Sequence, residues 1–287
     1  MSIKFQEVTY TYSPKSPFEF KALDNINLEI ATNKITAIIG HTGSGKSTLV
    51  QHLNALLIPT SGTLEVCDFI ITNEKKKNKN LKNLRKRVGL VFQFPEYQLF
   101  EDTVIKDVMF GPKNFLGKNA DVLEEAKLAL KMVNLDPALY DRSPFNLSGG
   151  QMRRVAIAGI LASSPNILVL DEPTVGLDPK GKVELLETLV KIQKETSKTI
   201  IIITHDMNLV ARYSKRCIVL DEGKIVFDGP KNEMFENEAF LEEHNLSLPD
   251  VSKLAKTLKN KGLIRYERLP LTKEELFEVI TRGDKNE

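Results

Sequence analysis

The sequence predicts an α/β fold: a parallel sheet covered by helices on both faces, with a helical insertion and a small helical lobe near the C-terminal end. Three observations carry this reading. Short β-branched apolar runs that end in glycine or polar residues ("KITAIIG", "NILVLDE", "KTIIIITH") alternate with helical patterns, as strands buried on both faces do. A glycine-rich turn separates the first of these runs from the apolar helix "STLVQHLNALL". The length of 287 residues allows one large domain and a smaller unit, at roughly 150 residues per domain.

From Ile3 to Ile39 the chain reads as short β segments ("IKFQEVTY", "INLEI", "KITAIIG") split by turn residues. After the first helix come a hairpin-like "GTLEVCDFII", the basic run "NEKKKNKNLKNLRKR" and the strand "VGLVFQ". The basic run has no interleaved aromatics, so it reads as a solvated loop and helix face rather than a grip on nucleic acid. Between Glu96 and Pro144 the spacing turns helical, and Val122, Ala126, Ala129, Leu130 and Val133 share one stripe. This predicts a helical subdomain over about 96–162 inside a domain spanning 1–230. Residues 231–287, polar and helical with breaks at "SLPDV" and "RLPLT", form an appended extension.

Composition excludes several classes. Forty Lys and Arg against 38 Asp and Glu give no electrostatic case for binding nucleic acid or an anionic membrane. Cys67 and Cys217 are far apart in apolar strand-like runs and read as buried hydrophobes in a reducing compartment. "MSIKFQEVTYTY" lacks a basic-then-apolar leader, which predicts a protein that is not secreted. The runs "VAIAGILA" and "IIII" are far shorter than the ~20 residues a membrane span needs. Membrane association is therefore expected only through partners.

The residues that carry chemistry cluster at predicted strand ends. "GHTGSGKS" (Gly40, His41, Thr42, Gly43, Ser44, Gly45, Lys46, Ser47), followed by Thr48, has the spacing G-x-x-x-x-G-K-[ST] between a strand and a helix. In that setting backbone N–H groups cradle phosphates, Lys46 reaches the β- and γ-phosphates, and the Ser47 hydroxyl can ligate Mg²⁺. His41 has no required role and reads as a loop residue. "ILVLDE" delivers Asp171 to the metal and Glu172 to the attacking water. "IIIITHD" brings His205 to the same sheet edge, and Gln93, ending "VGLVFQ", offers a neutral amide to metal and nucleophile. His52 and His244 read as structural. Ser148, Gly149, Gly150 and Gln151, opening the helix of "NLSGGQMRRVAIAG", form a second helix N-terminus suited to an anion. An ordinary Ser cap is the alternative.

Taken in order, the phosphate loop, the Gln after a strand, LSGGQ, the apolar run ending in Asp-Glu, "VGLD" and the strand-ending His resemble the nucleotide-binding subunit of ABC transporters, over about Ile3 to Pro230. The resemblance implies a P-loop NTPase core with an N-terminal antiparallel β subdomain, ATP and Mg²⁺ as ligands, and an LSGGQ that faces the phosphate loop of a second subunit. It makes Val175 to Asp178 a loop communicating between two sites and Tyr12 the aromatic that stacks on adenine, with Tyr10 as rival. "VFQFPEYQLFEDTVIKDVMFGPKN", "LSGGQMRRVAIAGILA" and the tail past "FDGP" are similar to the CbiO-like ATP-binding subunits of energy-coupling factor transporters, the second (A-prime) member in particular.

That likeness implies a motor at the cytoplasmic face of the cell membrane. It would be bound through 93–110 to a transmembrane T subunit that works with a substrate-capture subunit to import vitamins or transition-metal ions. Phe94, Tyr97, Leu99 and Phe100 would face the T subunit, and the C-terminal lobe would help hold two ATPases together. The partner ATPase is either a paralogue or a second copy. Two other classes fit the sequence less well. A soluble ABC ATPase acting on DNA or ribosomes usually carries a long coiled coil or two cassettes, and neither is present. A nucleotide-gated binding module without turnover is opposed by the complete set of catalytic residue types.

Overall fold

The computed structural model describes residues 2–74, 78–117 and 120–283. Lys75, Lys76 and Lys77 of the basic run, and 284–287 of the extension, lie outside the described residues. In chain order the strands are β1 (Ser2–Tyr12), β2 (Phe20–Glu29), β3 (Ile35–Ile39), β4 (Ser61–Cys67), β5 (Phe69–Thr72), β6 (Val88–Val91), β7 (Ile167–Asp171), β8 (Thr199–Ile203), β9 (Arg216–Asp221) and β10 (Lys224–Pro230). The helices are α1 (Lys46–Leu53), α2 (Leu81–Arg87), α3 (Val104–Phe115), α4 (Val122–Met132), α5 (Gly149–Leu161), α6 (Pro179–Thr196), α7 (Met207–Tyr213), α8 (Lys231–Glu236), α9 (Glu238–Glu243), α10 (Asp250–Asn260) and α11 (Lys273–Gly283).

Two sheets result. An antiparallel one runs β2-β1-β4-β5, and the main sheet runs β10-β9-β3-β8-β7-β6, parallel except for β10 at its edge. Parallel strands feed their C-terminal ends to one edge, so β3, β6, β7 and β8 all deliver their following residues there.

Because successive side chains on a strand point to opposite faces, each apolar run serves two cores. Ile167, Val169, Ile201 and Ile203 pack with Leu49, Val50 and Leu53 of α1 and with the antiparallel sheet. Their neighbours Leu168, Leu170, Ile200 and Ile202 pack on the other face, with Val155, Ile157 and Ala158 of α5 and with residues of α3, α4 and α6. The helix after the glycine-rich loop and the helix of LSGGQ therefore lie on opposite faces of one sheet.

The expected stripe holds, with Ala126, Ala129, Leu130 and Val133 buried and Val122 half-buried. Helix ends follow their capping residues: Asp121 caps α4, Ser148 caps α5 and Asp178 caps α6 with Pro179 behind it. The extension packs on the sheet through Met234, Phe235, Leu241, Leu269 and Leu271 against Ala37, Ile39, Cys217 and Val219. Cys67 and Cys217 are both buried and unpaired.

Candidate functional site

The glycine-rich loop bridges β3 and α1 and is walled by its neighbours. Gly40 has φ 151°, and a Cβ there would overlap the Leu220 carbonyl; Gly45 has φ 102°, and a Cβ there would overlap the Ala22 carbonyl. Only glycine fits both backbone conformation and space at these positions. Lys46, nearly buried, donates from Nζ to the carbonyls of Gly40 (2.9 Å) and His41 (2.7 Å). Burial lowers its ammonium pKa, opposed by the nearby Glu172 and Asp171. The side chains of Ser44 and Thr48 are buried, while His41, Thr42, Gly43 and Ser47 are exposed. Tyr12 reaches Thr48 from β1, hydroxyl to hydroxyl at 3.1 Å. Tyr10 instead packs against the core, edge-on to Tyr12 and His52.

Asp171 ends β7 beside the loop. Burial pushes its carboxyl up, while a hydrogen bond from the Ser47 side chain and the charge of Lys46 pull it down. Glu172 follows with φ 48°, a left-handed conformation that a non-glycine residue adopts only under constraint. Its N–H donates to the Ile203 carbonyl (3.0 Å), and its Oε1 lies 2.6 Å from Nδ1 of His205. Glu172 Oε2 is buried with no hydrogen-bond partner among the described residues. Such an acceptor is costly to leave unmet, which marks it as a group aimed at a ligand or water. Gln93 lies two residues past β6, whose Val91 pairs with Leu170, so it reaches the same edge; it is exposed and hydrogen-bonds to no described residue.

The second anion-type site is also formed. Ser148 caps α5, with the Gln151 N–H donating to its Oγ (3.3 Å) and its own N–H donating to Gln151 Oε1 (3.0 Å). This is a reciprocal capping box, so the Gln151 carbonyl is occupied locally. Ser148 and Gly149 are exposed, and among the described residues no hydrogen bond joins 148–151 to 40–48.

Two clusters escaped the sequence reading. Arg153, 3% exposed, clamps Glu96 through two bonds (3.1 and 2.8 Å) and donates to the carbonyls of Pro173 (3.0 Å) and Val175 (2.5 Å). It ties the segment after Gln93 to the loop after Glu172; the only signal was a charge on the buried side of an amphipathic helix. His41, read as a loop residue, places Nε2 2.7 Å from Asp221 Oδ1, and His244 Nδ1 lies 2.7 Å from Oδ2. These bonds, with His244 first, hold the Asp221 carboxyl below its usual range.

A phosphate-type loop, a lysine beside two carboxylates and a carboxylate–histidine pair at one parallel-sheet edge define a nucleotide hydrolase. The comparisons narrow the class. Residues 23–175 match the family model for ABC transporters. The energy-coupling factor transporter ATP-binding protein EcfA2 of Lactiplantibacillus plantarum is 52% identical over 98% of this chain and 95% of that protein. Its counterpart from Enterococcus faecalis is 50% identical over 98% and 97%. Among solved structures, cbiO1 from Clostridium perfringens, described as part of the ABC transporter complex cbiONQ, superposes with TM-score 0.74 at 38% identity, covering 88% of this chain and 98% of that one. A dimeric post-hydrolysis ATP-binding cassette bound to ADP and Pi gives TM-score 0.70 at 31% identity over 79% and 98%. The chain belongs to the ABC transporter family, among the ATP-binding proteins of energy-coupling factor transporters, and is an ATP-using enzyme of that family.

Proposed function

We propose that this chain is the ATP-hydrolysing motor of an importer that takes up vitamins or transition-metal ions, seated at the cytoplasmic face of the membrane. It would pair with a second ABC ATPase, a paralogue, and dock on a transmembrane T subunit that serves a substrate-capture subunit. Residues 1–230 would form the ATP-binding domain and 231–287 a dimerisation extension. The observation that carries this reading is that α1 and α5, the helices behind the two anion-type sites, pack on opposite faces of one sheet, while no hydrogen bond among the described residues joins 148–151 to 40–48. With the two sites unjoined in one chain, a second chain would bring its Ser148 end to this chain's phosphate loop.

The proposed roles follow the geometry. Tyr12, beside Thr48, offers a ring to the adenine, and such stacking is worth ~1–3 kcal/mol per base. The amides of 40–48 and the Lys46 ammonium would hold phosphates. Ser47, Asp171 and Gln93 supply an oxygen-only donor set, which suits Mg²⁺; that ion takes one or two carboxylates or hydroxyls together with substrate phosphates. Bound there, Mg²⁺ would neutralise phosphate charge. Glu172 would polarise the water through its unpartnered Oε2 while His205 orients Oε1. General-base assistance of this kind contributes ~10²–10⁴ in rate. The partner's phosphate would meet Ser148, Gly149, Gly150 and Gln151. ATP and ADP must bind the closed and open pair differently for the cycle to move anything.

Phe100 and Phe110, edge to face at 5.0 Å, line a groove of about 330 Å³ with Phe115 and Ile160, which supports docking of the T subunit there. Phe94 and Tyr97 are exposed beside it, whereas Leu99 is core. No helix among the described residues is long and apolar enough to cross a membrane. Purifying the full chain from membranes tests the reading. Recovery with a hydrophobic integral subunit and a second ATPase is expected, and recovery with ribosomes or DNA instead would overturn it.

A further inference from the structure

The turn between β9 and β10 forms one wall of the phosphate loop. The Leu220 carbonyl lies against Gly40, the Gly223 N–H donates to the Ser44 carbonyl (3.1 Å), and Asp221 engages His41 (2.7 Å). His41 in turn has Nδ1 2.7 Å from the Thr42 carbonyl, while its own carbonyl accepts from Lys46. The ring and the main chain of His41 are thus fixed together.

The same carboxylate has a second hold. Its other oxygen meets His244, the residue that closes α9, whose ring is 12% exposed and packs at a tilt against Phe240, with ring centroids 4.5 Å apart. Phe240 packs in turn on Phe227 of β10. One carboxylate is therefore shared between the phosphate loop and the C-terminal extension.

We infer that Asp221 is a positioning residue through which the C-terminal extension sets the shape of the phosphate loop, so that His244, which is far along the chain, controls nucleotide affinity. The inference rests on the ATP reading of residues 40–48. A shared hydrogen-bond acceptor makes the two contacts interdependent: freeing one side lets the carboxylate turn and weakens the other. It assigns the extension a task inside its own chain, besides any contact with a partner ATPase.

The test is MgATP binding to the full chain, measured by calorimetry below the unfolding range of each variant. His244→Phe keeps an aromatic ring against Phe240 but loses the bond to Asp221. It should weaken MgATP about three- to tenfold, the worth of one net hydrogen bond. His41→Asn should weaken it by a similar factor, and the double variant should be no worse than the more severe single variant. Multiplicative losses would mean that the two residues act separately and would overturn the inference, as would unchanged affinity in His244→Phe. Asp221→Asn is the second probe should His244→Phe not fold, and wild-type affinity in that variant would also overturn it. A wild-type chain that binds no MgATP would refute the ATP reading itself, and the inference with it.

Discussion

At the residue scale, His52 shows how a polar group in the core becomes a pH liability. Its Nδ1 donates to the Thr48 carbonyl at 2.7 Å, while Nε2 is buried with no acceptor among the described residues, so only the neutral ring fits. Burial pushes its pKa down to about 4. The unfolded chain takes up this proton near pH ~6.5. Below that pH the unfolded state binds more protons than the folded one, so the contribution of neutral His52 is complete above ~6.5 and is lost as pH falls toward 4. Between pH 7 and pH 4 this single group should cost about 3 kcal/mol of stability. Denaturant unfolding of His52→Gln should show a loss smaller by that order, and an equal loss would contradict a neutral buried ring.

Individual residues were unevenly legible in the sequence. Asp171, Glu172 and His205 could be placed because an apolar strand delivers whatever follows it to the sheet edge. The positive φ of Glu172 and the burial of its second carboxylate oxygen had no signal, since neither is set by local sequence; the backbone there is tied to Ile203 of β8. Asp221 and His244 met across a separation of 23 positions with no shared motif, and Arg153 hid within a doublet whose other member, Arg154, pairs with the more exposed Glu184. Pairings of this kind come from tertiary approach, not from spacing.

At the scale of elements, strand positions and helix starts were readable because each has a local cause. Isoleucine-rich runs bury both faces of a strand, and Asp121, Ser148 and Asp178 satisfy orphan N–H groups at helix starts. The same runs conceal which face meets which helix, because a strand apolar on both sides carries no alternation to read. That is why the separation of α1 from α5 emerged only with the packing. Helix α3 leaves Phe110 49% exposed beside Phe100, while its Val104 and Val108 are core. An aspartate at 110 should therefore spare the fold and put an uncompensated charge in the groove. Phe110→Asp should reduce recovery of the chain with its membrane partner at least about tenfold, the effect of losing roughly 1.4 kcal/mol, with MgATP affinity unchanged. Undiminished recovery would remove the groove from the docking surface.

At the scale of the whole molecule, the helices behind the two halves of the proposed ATP site pack on opposite faces of one sheet, and a site shared between chains was legible only as a resemblance. The motifs occurred together in one sequence, and nothing in their order said whether they meet in one chain. The cores bear on the proposed answer: Leu49, Val50 and Leu53 behind the phosphate loop pack on one face, and Val155, Ile157 and Ala158 behind Ser148 on the other. With Ser148 exposed, an arginine there has room in the free chain and would obstruct a second chain's phosphate. The most direct measurement compares Ser148→Arg with wild type in two assays, MgATP affinity of the single chain and turnover by the assembled ATPase pair. Unchanged affinity with turnover reduced at least about a hundredfold, a loss of roughly 2.7 kcal/mol in transition-state stabilisation, is the result expected of a site shared between chains. Loss of affinity in the single chain as severe as the loss of turnover would show Ser148 acting within its own chain and would contradict it.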